Sequence, residues 1–342
     1  MLPPRATFHG LDLRVIEVQV KAADQLPDQT CAMIFVDQLF DIDAAQHKLL
    51  SIDRDKSRFS GQPLVAHIRS LPTLANFAMT LLDRATISSQ LPDGESPYGG
   101  VILDTAGNLY GTTYKGGASN YGTVFKVSKA GKETVLHSFA GGSADGCNPG
   151  GGLILDAKGN LYGDTQLCGA SNYGTVFKVS KAGKETVPHS FAGGSSDGAE
   201  PFYGSLLMDK KGNLYGVTEH GGTGEGCNLN CGVLYRLSKS GTLTVLHSFA
   251  NAPDGSFPFG TPVMDGKGNL FGTTDAGDPD QVGIVWKVSK NEHETILHSF
   301  TPGGVDGVNP AYSLVLDSAG NVYGTTESGG SSNQGVVFEI TP

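Results

Sequence analysis

The chain of 342 residues carries 34 Asp and Glu against 24 Lys and Arg, a formal net charge of −10 at pH 7. Such a chain offers no basic face to nucleic acid or to an anionic lipid surface, so both partner classes are excluded. No apolar run reaches the length of a membrane-spanning helix, and a monomer is expected.

Residues 1–80 differ in kind from the rest. Only Gly10, Gly61 and Gly94 precede residue 96, leaving 46 of the 49 glycines downstream. Segments 11–20 and 32–36 read as strands. Segment 63–84 has helix-like apolar spacing broken by Pro72, and the charged segment 37–58 is a helix or a solvated linker. The first twenty residues lack the charged start, apolar stretch and cleavage site of an export signal. His9, His47 and His67 stand alone and carry no chemistry. A small appended domain and a partly disordered segment both fit this stretch.

From residue 93 the chain repeats. Asn108, Asn160, Asn213, Asn269 and Asn321 each follow a glycine, at spacings of 52, 53, 56 and 52 residues. Residues 152–191 show the unit, with strands at 152–156 (a), 160–165 (b), 174–180 (c) and 185–191 (d). Tight turns join a to b and c to d, each with Gly where positive φ is needed, whereas the b–c connection is a longer surface loop. Four strands in a unit of this length predict a propeller blade, a four-stranded antiparallel meander. Strand a is apolar without alternation, as for a strand covered on both faces near the axis. Pro188 in strand d replaces Leu136, Leu246 and Leu297 of the other copies, which predicts an outer edge.

Strands a to c occur five times and strand d only four, because the last copy stops in its strand c at 336–340. Aligning Asp93-Gly94 with Asp145-Gly146 places 81–87, or a neighbouring part of 85–91, at the missing strand d. The expected fold is all-β: a five-bladed β-propeller over 81–342, its last blade closed by an N-terminal strand. The small mixed segment 1–80 precedes it.

Cys147, in a d–a link, and Cys168, in a b–c loop, emerge at the same end of a meander and can pair. Cys227 and Cys231 can pair locally within one b–c loop. Four loop cysteines that can pair point to an oxidising compartment, with free thiols in a cytoplasmic protein as the alternative. Zinc is disfavoured, since no second cysteine pair or nearby histidine pair completes a site.

The pattern LILDxxGNLYGTT…GG…GTVFKV…ETVLHSFxGGxDGxxP resembles the GloVer tandem-repeat family and covers nearly all of 93–342. The resemblance implies a secreted or surface-attached bacterial repeat protein and no established activity. This chain departs from it in ending at Pro342 without an anchor and in showing no export signal.

His137, His189, His247 and His298 recur in strand d, and Asp145, Asp197, Asp254 and Asp306 recur in the Asp-Gly pair that follows. A residue present in every blade is read as structural: the histidine bonds an adjacent strand or loop, the aspartate its own turn. Each such loop offers few oxygen ligands locally, so no cofactor is predicted, with repeated Ca2+ binding as the minor alternative. Tyr110, Tyr162, Tyr215 and Tyr323, with Phe271, read as packing between blades.

Function more often resides where repeats differ. Directly after strand b the blades read Tyr114, Gln166, Glu219, Asp275 and Glu327, on loops expected to share one ligand face with the d–a links. Three successive carboxylates, with His220 beside one, would suit acid–base work such as glycoside cleavage, although solvated loop acids are the plainer reading. No Gly-rich strand-to-helix turn exists, which excludes a dinucleotide site. The expectation is a non-enzymatic extracellular binding or scaffold propeller for a glycan or protein. The near-identical GASNYGTVFKVSKAGKETV of the first two blades suits repeated weak sites. The alternative is a propeller enzyme, a glycoside hydrolase or one similar to streptogramin lyases, using Glu219, His220, Asp275 and Glu327.

Overall fold

The turn between strands a and b explains much of the local folding. In the computed structural model, Asp104 accepts hydrogen bonds from the N–H groups of Ala106 (2.9 Å) and Asn108 (2.8 Å), from Asn108 Nδ2 (2.8 Å) and from the Tyr110 hydroxyl (3.0 Å). Asp156, Asp209 and Asp317 repeat all four bonds, and Asp265 keeps three because Phe271 stands in the tyrosine's place. Burial alone would raise these carboxyls, but the bonds outweigh it and hold each below the ordinary aspartate value. The strand-b tyrosines thus have a polar anchor that the sequence did not reveal.

The structure describes residues 93–224, 231–277, 280–303, 306–310 and 312–341, all of which fall in one compact unit. Segment 1–80 and the expected closing strand near 81–91 lie outside the described residues. Every described element is a strand, and the strands form propeller-like antiparallel meanders. Sheet 1 comprises Ile102–Leu103, Leu109–Thr113, Thr123–Val127 and Glu133–Ser138. Sheet 2 comprises Ile154–Leu155, Leu161–Thr165, Thr175–Val179 and Glu185–Ser190. Sheet 3 comprises Leu207–Met208, Leu214–Thr218, Val233–Leu237 and Leu243–Ser248. Sheet 4 has a long first strand, Ser256–Met264, then Leu270–Ala276, Ile284–Val288 and Glu294–Ser299. Sheet 5 has three described strands, Val315–Leu316, Val322–Thr325 and Val337–Ile340. In each four-stranded sheet the order is a-b-c-d, so strand d is an edge.

Strand a is shorter than expected, and it is not covered throughout. Leu153, Leu206 and Leu314 just before it are buried, while Leu103 and Val315 within it are exposed. Strand d carries a register break opposite strand c, and in sheet 2 the break falls at Pro188, between the pairs Val176–His189 and Lys178–Thr186. A proline lacks the N–H that a ladder would require there.

The core lies between sheets. Phe139 of sheet 1 meets Phe177 of sheet 2 at 5.0 Å, Phe191 meets Tyr235 at 5.3 Å, Phe249 meets Trp286 at 5.6 Å and Phe300 meets Phe338 at 5.2 Å. Each is the phenylalanine of a His-Ser-Phe triplet driven against the strand-c ring of the next sheet. Where strand a begins, the backbones themselves touch: Gly151 approaches Gly204 so closely that a Cβ would collide with the Gly204 carbonyl. Thr112 caps the neighbouring contact by donating its hydroxyl to the Gly151 carbonyl at 2.8 Å.

Asp164 occupies that threonine's position in sheet 2. It is buried, its Oδ1 lacks a hydrogen-bond partner, and burial pushes its pKa up to about 7. Because the folded value lies above the unfolded 3.8, its neutral form is favoured in the fold. Stability from this group is complete below pH ~4 and is lost as pH rises through ~7. The chain should therefore lose about 4 kcal/mol between pH 4 and pH 8 through Asp164. Asp164→Thr should flatten that slope in urea denaturation; an unchanged slope would contradict the assignment. Phe191→Ala, which empties the contact between sheets 2 and 3, should cost about 3–5 kcal/mol in the same assay.

Candidate functional site

The residues between strand d and strand a build the site. Ser96, Asn148, Glu200, Phe257 and Asn309 each precede a proline and adopt positive φ, from 56° to 59°. The carbonyls of Ser96, Asn148, Glu200 and Asn309 accept from the N–H groups of Tyr114 (2.9 Å), Gln166 (3.1 Å), Glu219 (3.2 Å) and Glu327 (3.0 Å). The N–H groups of Asn148, Glu200, Phe257 and Asn309 donate to carbonyls of the preceding sheet's b–c loop, those of Tyr121, Tyr173, Cys231 and Val282. In sheet 4 the link is itself strand, and Asp275 lies opposite Phe257 in the ladder. The link and the residue after strand b are therefore locked together at the same end of every sheet.

This lock brings aromatic rings to that end which sequence reasoning missed. Tyr98 lies 5.2 Å from Tyr114 and 6.5 Å from Tyr203, Tyr114 lies 6.0 Å from Phe202, and Tyr203 stacks on Phe259 at 5.1 Å. Tyr98 and Tyr203 are 45% and 48% exposed. They belong to sheets 1 and 3, which are not neighbours in sequence; Gly150 occupies the link between them, and a Cβ there would strike the Phe202 ring. A readable signal existed: Tyr98, Phe202 and Phe259 directly follow the proline of the link, and Tyr312 comes one residue later.

The expected ligand-face residues gather around these rings. The Tyr114 hydroxyl donates to Gln166 Oε1 at 2.8 Å, joining sheets 1 and 2. Asn309 Nδ2 of sheet 5 donates to the Asp275 carbonyl (3.0 Å) and to its Oδ1 (3.1 Å), joining sheets 4 and 5. Burial raises the Glu219 carboxyl above its ordinary value, opposed by His220 and reinforced by Glu200 and Asp275. His220 Nε2 lies 3.9 Å from Glu219 Oε1, and its ring stands edge-on to Phe257. Burial and then Tyr98 raise the Tyr114 hydroxyl, and burial and then Glu327 raise that of Tyr312. The Tyr203 hydroxyl is raised by burial and then by Tyr98, Tyr114, Glu219 and Tyr312, so side chains from sheets 1, 3 and 5 act on one group. Glu327 itself is exposed.

The repeated histidines lie elsewhere, on the edge strands. His137, His189, His247 and His298 place Nε2 at 3.3, 3.1, 3.2 and 3.2 Å from Asp145, Asp197, Asp254 and Asp306. Each ring also stands edge-on to the phenylalanine two residues on. The aspartates take further N–H bonds, for example from Ala140 and Gly146 to Asp145, both at 2.8 Å.

Short two-stranded pairings tie four of the five Asp-Gly links to a b–c loop: Gly94–Glu95 with Lys115–Gly116, Gly146–Cys147 with Leu167–Cys168, Gly198–Ala199 with His220–Gly221 and Gly307–Val308 with Ser328–Gly329. The second carries a disulfide between Cys147 and Cys168. Cys231 is also disulfide-bonded, whereas Cys227 lies outside the described residues. No helix long and apolar enough to cross a membrane occurs among the described residues.

These meanders, with links and loops locked at one end, define an all-β tandem-repeat protein. The family described as the Gloeobacter/Verrucomicrobia repeat matches residues 73–229 and 221–342, and the chain belongs to it. No curated protein matches the chain. Among solved structures it is similar to a protein assigned as a gluconolactonase, at 14% identity and a TM-score of 0.44, covering 74% of this chain and 81% of that one. It is also similar to regucalcin, a calcium-binding protein from Agrobacterium tumefaciens, at 13% identity and 0.41, covering 70% and 71%. A luciferin-regenerating enzyme, at 13% identity and 0.41, covers 73% and 79%. Likeness at these scores carries no functional argument.

The Cys147–Cys168 bridge closes a loop with a sequence separation of 21. Chain-entropy arguments make a bridge of that span worth about 3 kcal/mol. Replacing both cysteines by serine should lower the denaturation free energy by about that amount; a loss under about 1 kcal/mol would show that the link is fixed without it.

Proposed function

We propose that residues 81–342 form a five-bladed propeller, closed by a strand from the 81–91 region, whose loop end binds glycans outside the cell without catalysis. The observation that carries the binding reading is the set of rings Tyr98, Tyr114, Tyr203 and Phe259, two of them widely exposed, beside Gln166, Glu219 and Asp275. A sugar ring has an apolar C–H face that stacks on an aromatic surface and hydroxyls that bond to carboxylates and amides, so both halves of its chemistry are met. Ring closure is supported by Gly94–Glu95, which pairs with Lys115–Gly116 as the later links, each preceded by a strand d, pair with their own loops. Contact between links of the non-adjacent sheets 1 and 3 supports curvature about an axis at that end. The disulfide supports an extracellular setting.

A second reading has one observation behind it. Glu219, raised by burial beside His220 and Asp275, is suited to hold a proton for general-acid chemistry on the same sugar. The test is a glycan array on the purified chain, followed by calorimetry on the best ligand. Tyr203→Ala should weaken binding about tenfold, the loss of ~1.4 kcal/mol of stacking. Glu219→Gln should leave the ligand intact and bound. No glycan bound, or full affinity in Tyr203→Ala, would overturn the proposal, and cleavage that disappears in Glu219→Gln would favour the enzyme.

A further inference from the structure

Away from the aromatic face, the edge strands hold a second recurring cluster. The first residue of strand d in sheet 2, Glu185, reaches the His137–Asp145 pair of sheet 1, and Glu294 of sheet 4 reaches His247 and Asp254 of sheet 3 in the same way. In each set one imidazole nitrogen and one oxygen from each carboxylate lie within 4.8 Å of one another. His247 Nε2 is 3.2 Å from Asp254 Oδ1 and 3.8 Å from Glu294 Oε1. In the first set His137 Nε2 and Asp145 Oδ1 are in hydrogen-bonding geometry at 3.3 Å, but each set still holds buried polar atoms left unmatched. His247 Nε2, Glu294 Oε1 and Glu185 Oε1 are all shut off from solvent and lack a hydrogen-bond partner. Atoms so placed are costly unless something between them accepts their lone pairs.

We propose that His137, Asp145 and Glu185, and likewise His247, Asp254 and Glu294, are two equivalent divalent-metal sites that pin neighbouring sheets together. One imidazole with two carboxylates is a donor set for a borderline ion such as Zn2+, with water at the fourth position, and a poor one for Ca2+, which takes oxygen ligands. Ligand atoms about 2.0–2.2 Å from one ion lie a little over 3 Å apart; the His247 spacings of 3.2 and 3.8 Å approach this, and in the first set the His137–Asp145 spacing of 3.3 Å does. A cation would also offset the repulsion between the two carboxylates that each set brings within 4.8 Å of one another.

The repeat supplies its own control. At the equivalent place in sheet 3 stands Leu243, so His189 and Asp197 have no third ligand from that position. Before sheet 1, Asp93 acts on Glu133, whose Oε1 is also buried and unpartnered, but the sequence register places Ala85 where the others have histidine. Two sets are therefore complete among the described residues. A search for ligand pairs within one segment overlooks them, because each set draws on two repeats about fifty residues apart.

The test is equilibrium dialysis of the chelator-stripped full chain against ZnCl2 at micromolar concentration, read by metal analysis, with thermal unfolding in parallel. Two tightly held Zn2+ per chain are expected, with a rise in Tm. Glu294→Gln should lose one ion, Glu185→Gln with Glu294→Gln both, and each variant should lose its share of the Tm rise. Both substitutions keep the side-chain shape and remove only charge, so folding should persist, and circular dichroism checks it. Leu243→Glu should add a third ion. Zinc content unchanged in the double Gln variant would mark adventitious binding elsewhere and overturn the proposal. Retention of no zinc by the parent chain would overturn it too, leaving a carboxyl pair that shares a proton.

Discussion

The contact on which the rest depends is the phenylalanine that ends each strand d. A β-sheet with one uncovered apolar face is not stable alone, and here each sheet buries that face against the next one in sequence. Phe139, Phe191, Phe249 and Phe300 are completely buried, and each reaches a ring of the following sheet. Stability therefore accumulates by neighbours, as in other repeat arrays, and no sheet is independent. It also follows that the chain's variation is free to gather elsewhere. With the sheet contacts fixed by Phe and its strand-c partner, the loop ends can diverge without loss of fold.

Those ends are nevertheless not loose. Asn148, Glu200 and Asn309, each with positive φ before a link proline, make two backbone bonds, one within the sheet and one to the preceding sheet. Side chains just after the proline are thereby presented from fixed positions, which suits recognition more than side chains on a mobile loop would. Where the link carries Tyr or Phe, as at Tyr98, Phe202, Tyr203 and Phe259, the result is an aromatic surface; where it carries glycine, as at Gly150, a neighbour's ring fills the room. Sheet 2 gives up its own ring so that Phe202 of sheet 3 can lean across it.

The repeat made the meander, the a-to-d order and the Cys147–Cys168 pairing legible from sequence, because each rests on local spacing or on one loop end. What stayed hidden were contacts made between repeats. Tyr110, Tyr162, Tyr215 and Tyr323 read as packing between blades, and the first three do pack on the core of the next sheet; what did not show was that each hydroxyl is tied to a turn aspartate six residues back. Glu133, Glu185 and Glu294 carry no mark in the sequence, and only folding brings them to the Asp-Gly loop of the preceding repeat. Tyr114 and Gln166 were visible as candidates one by one, but their hydrogen bond across two sheets was not.

Departures from the repeat are then the informative positions, and Asp164 shows why. Thr112 of sheet 1 and Thr273 of sheet 4 hold the corresponding position, and both hydroxyls donate to the carbonyl where the next strand a begins, those of Gly151 and Tyr312. Val217 of sheet 3 gives up the bond and joins the core instead. Asp164 does neither in its charged form, since a carboxylate cannot donate and is expensive to bury. Protonated, it becomes a hydroxyl donor placed as threonine is, beside the close approach of Gly151 to Gly204. The fold therefore tolerates the substitution by selecting its neutral form, and burial likewise raises Glu185 and Glu294 at the edge strands. An acidic repeat protein can carry carboxyl groups at such crowded contacts between sheets only if each has a partner cation or a proton.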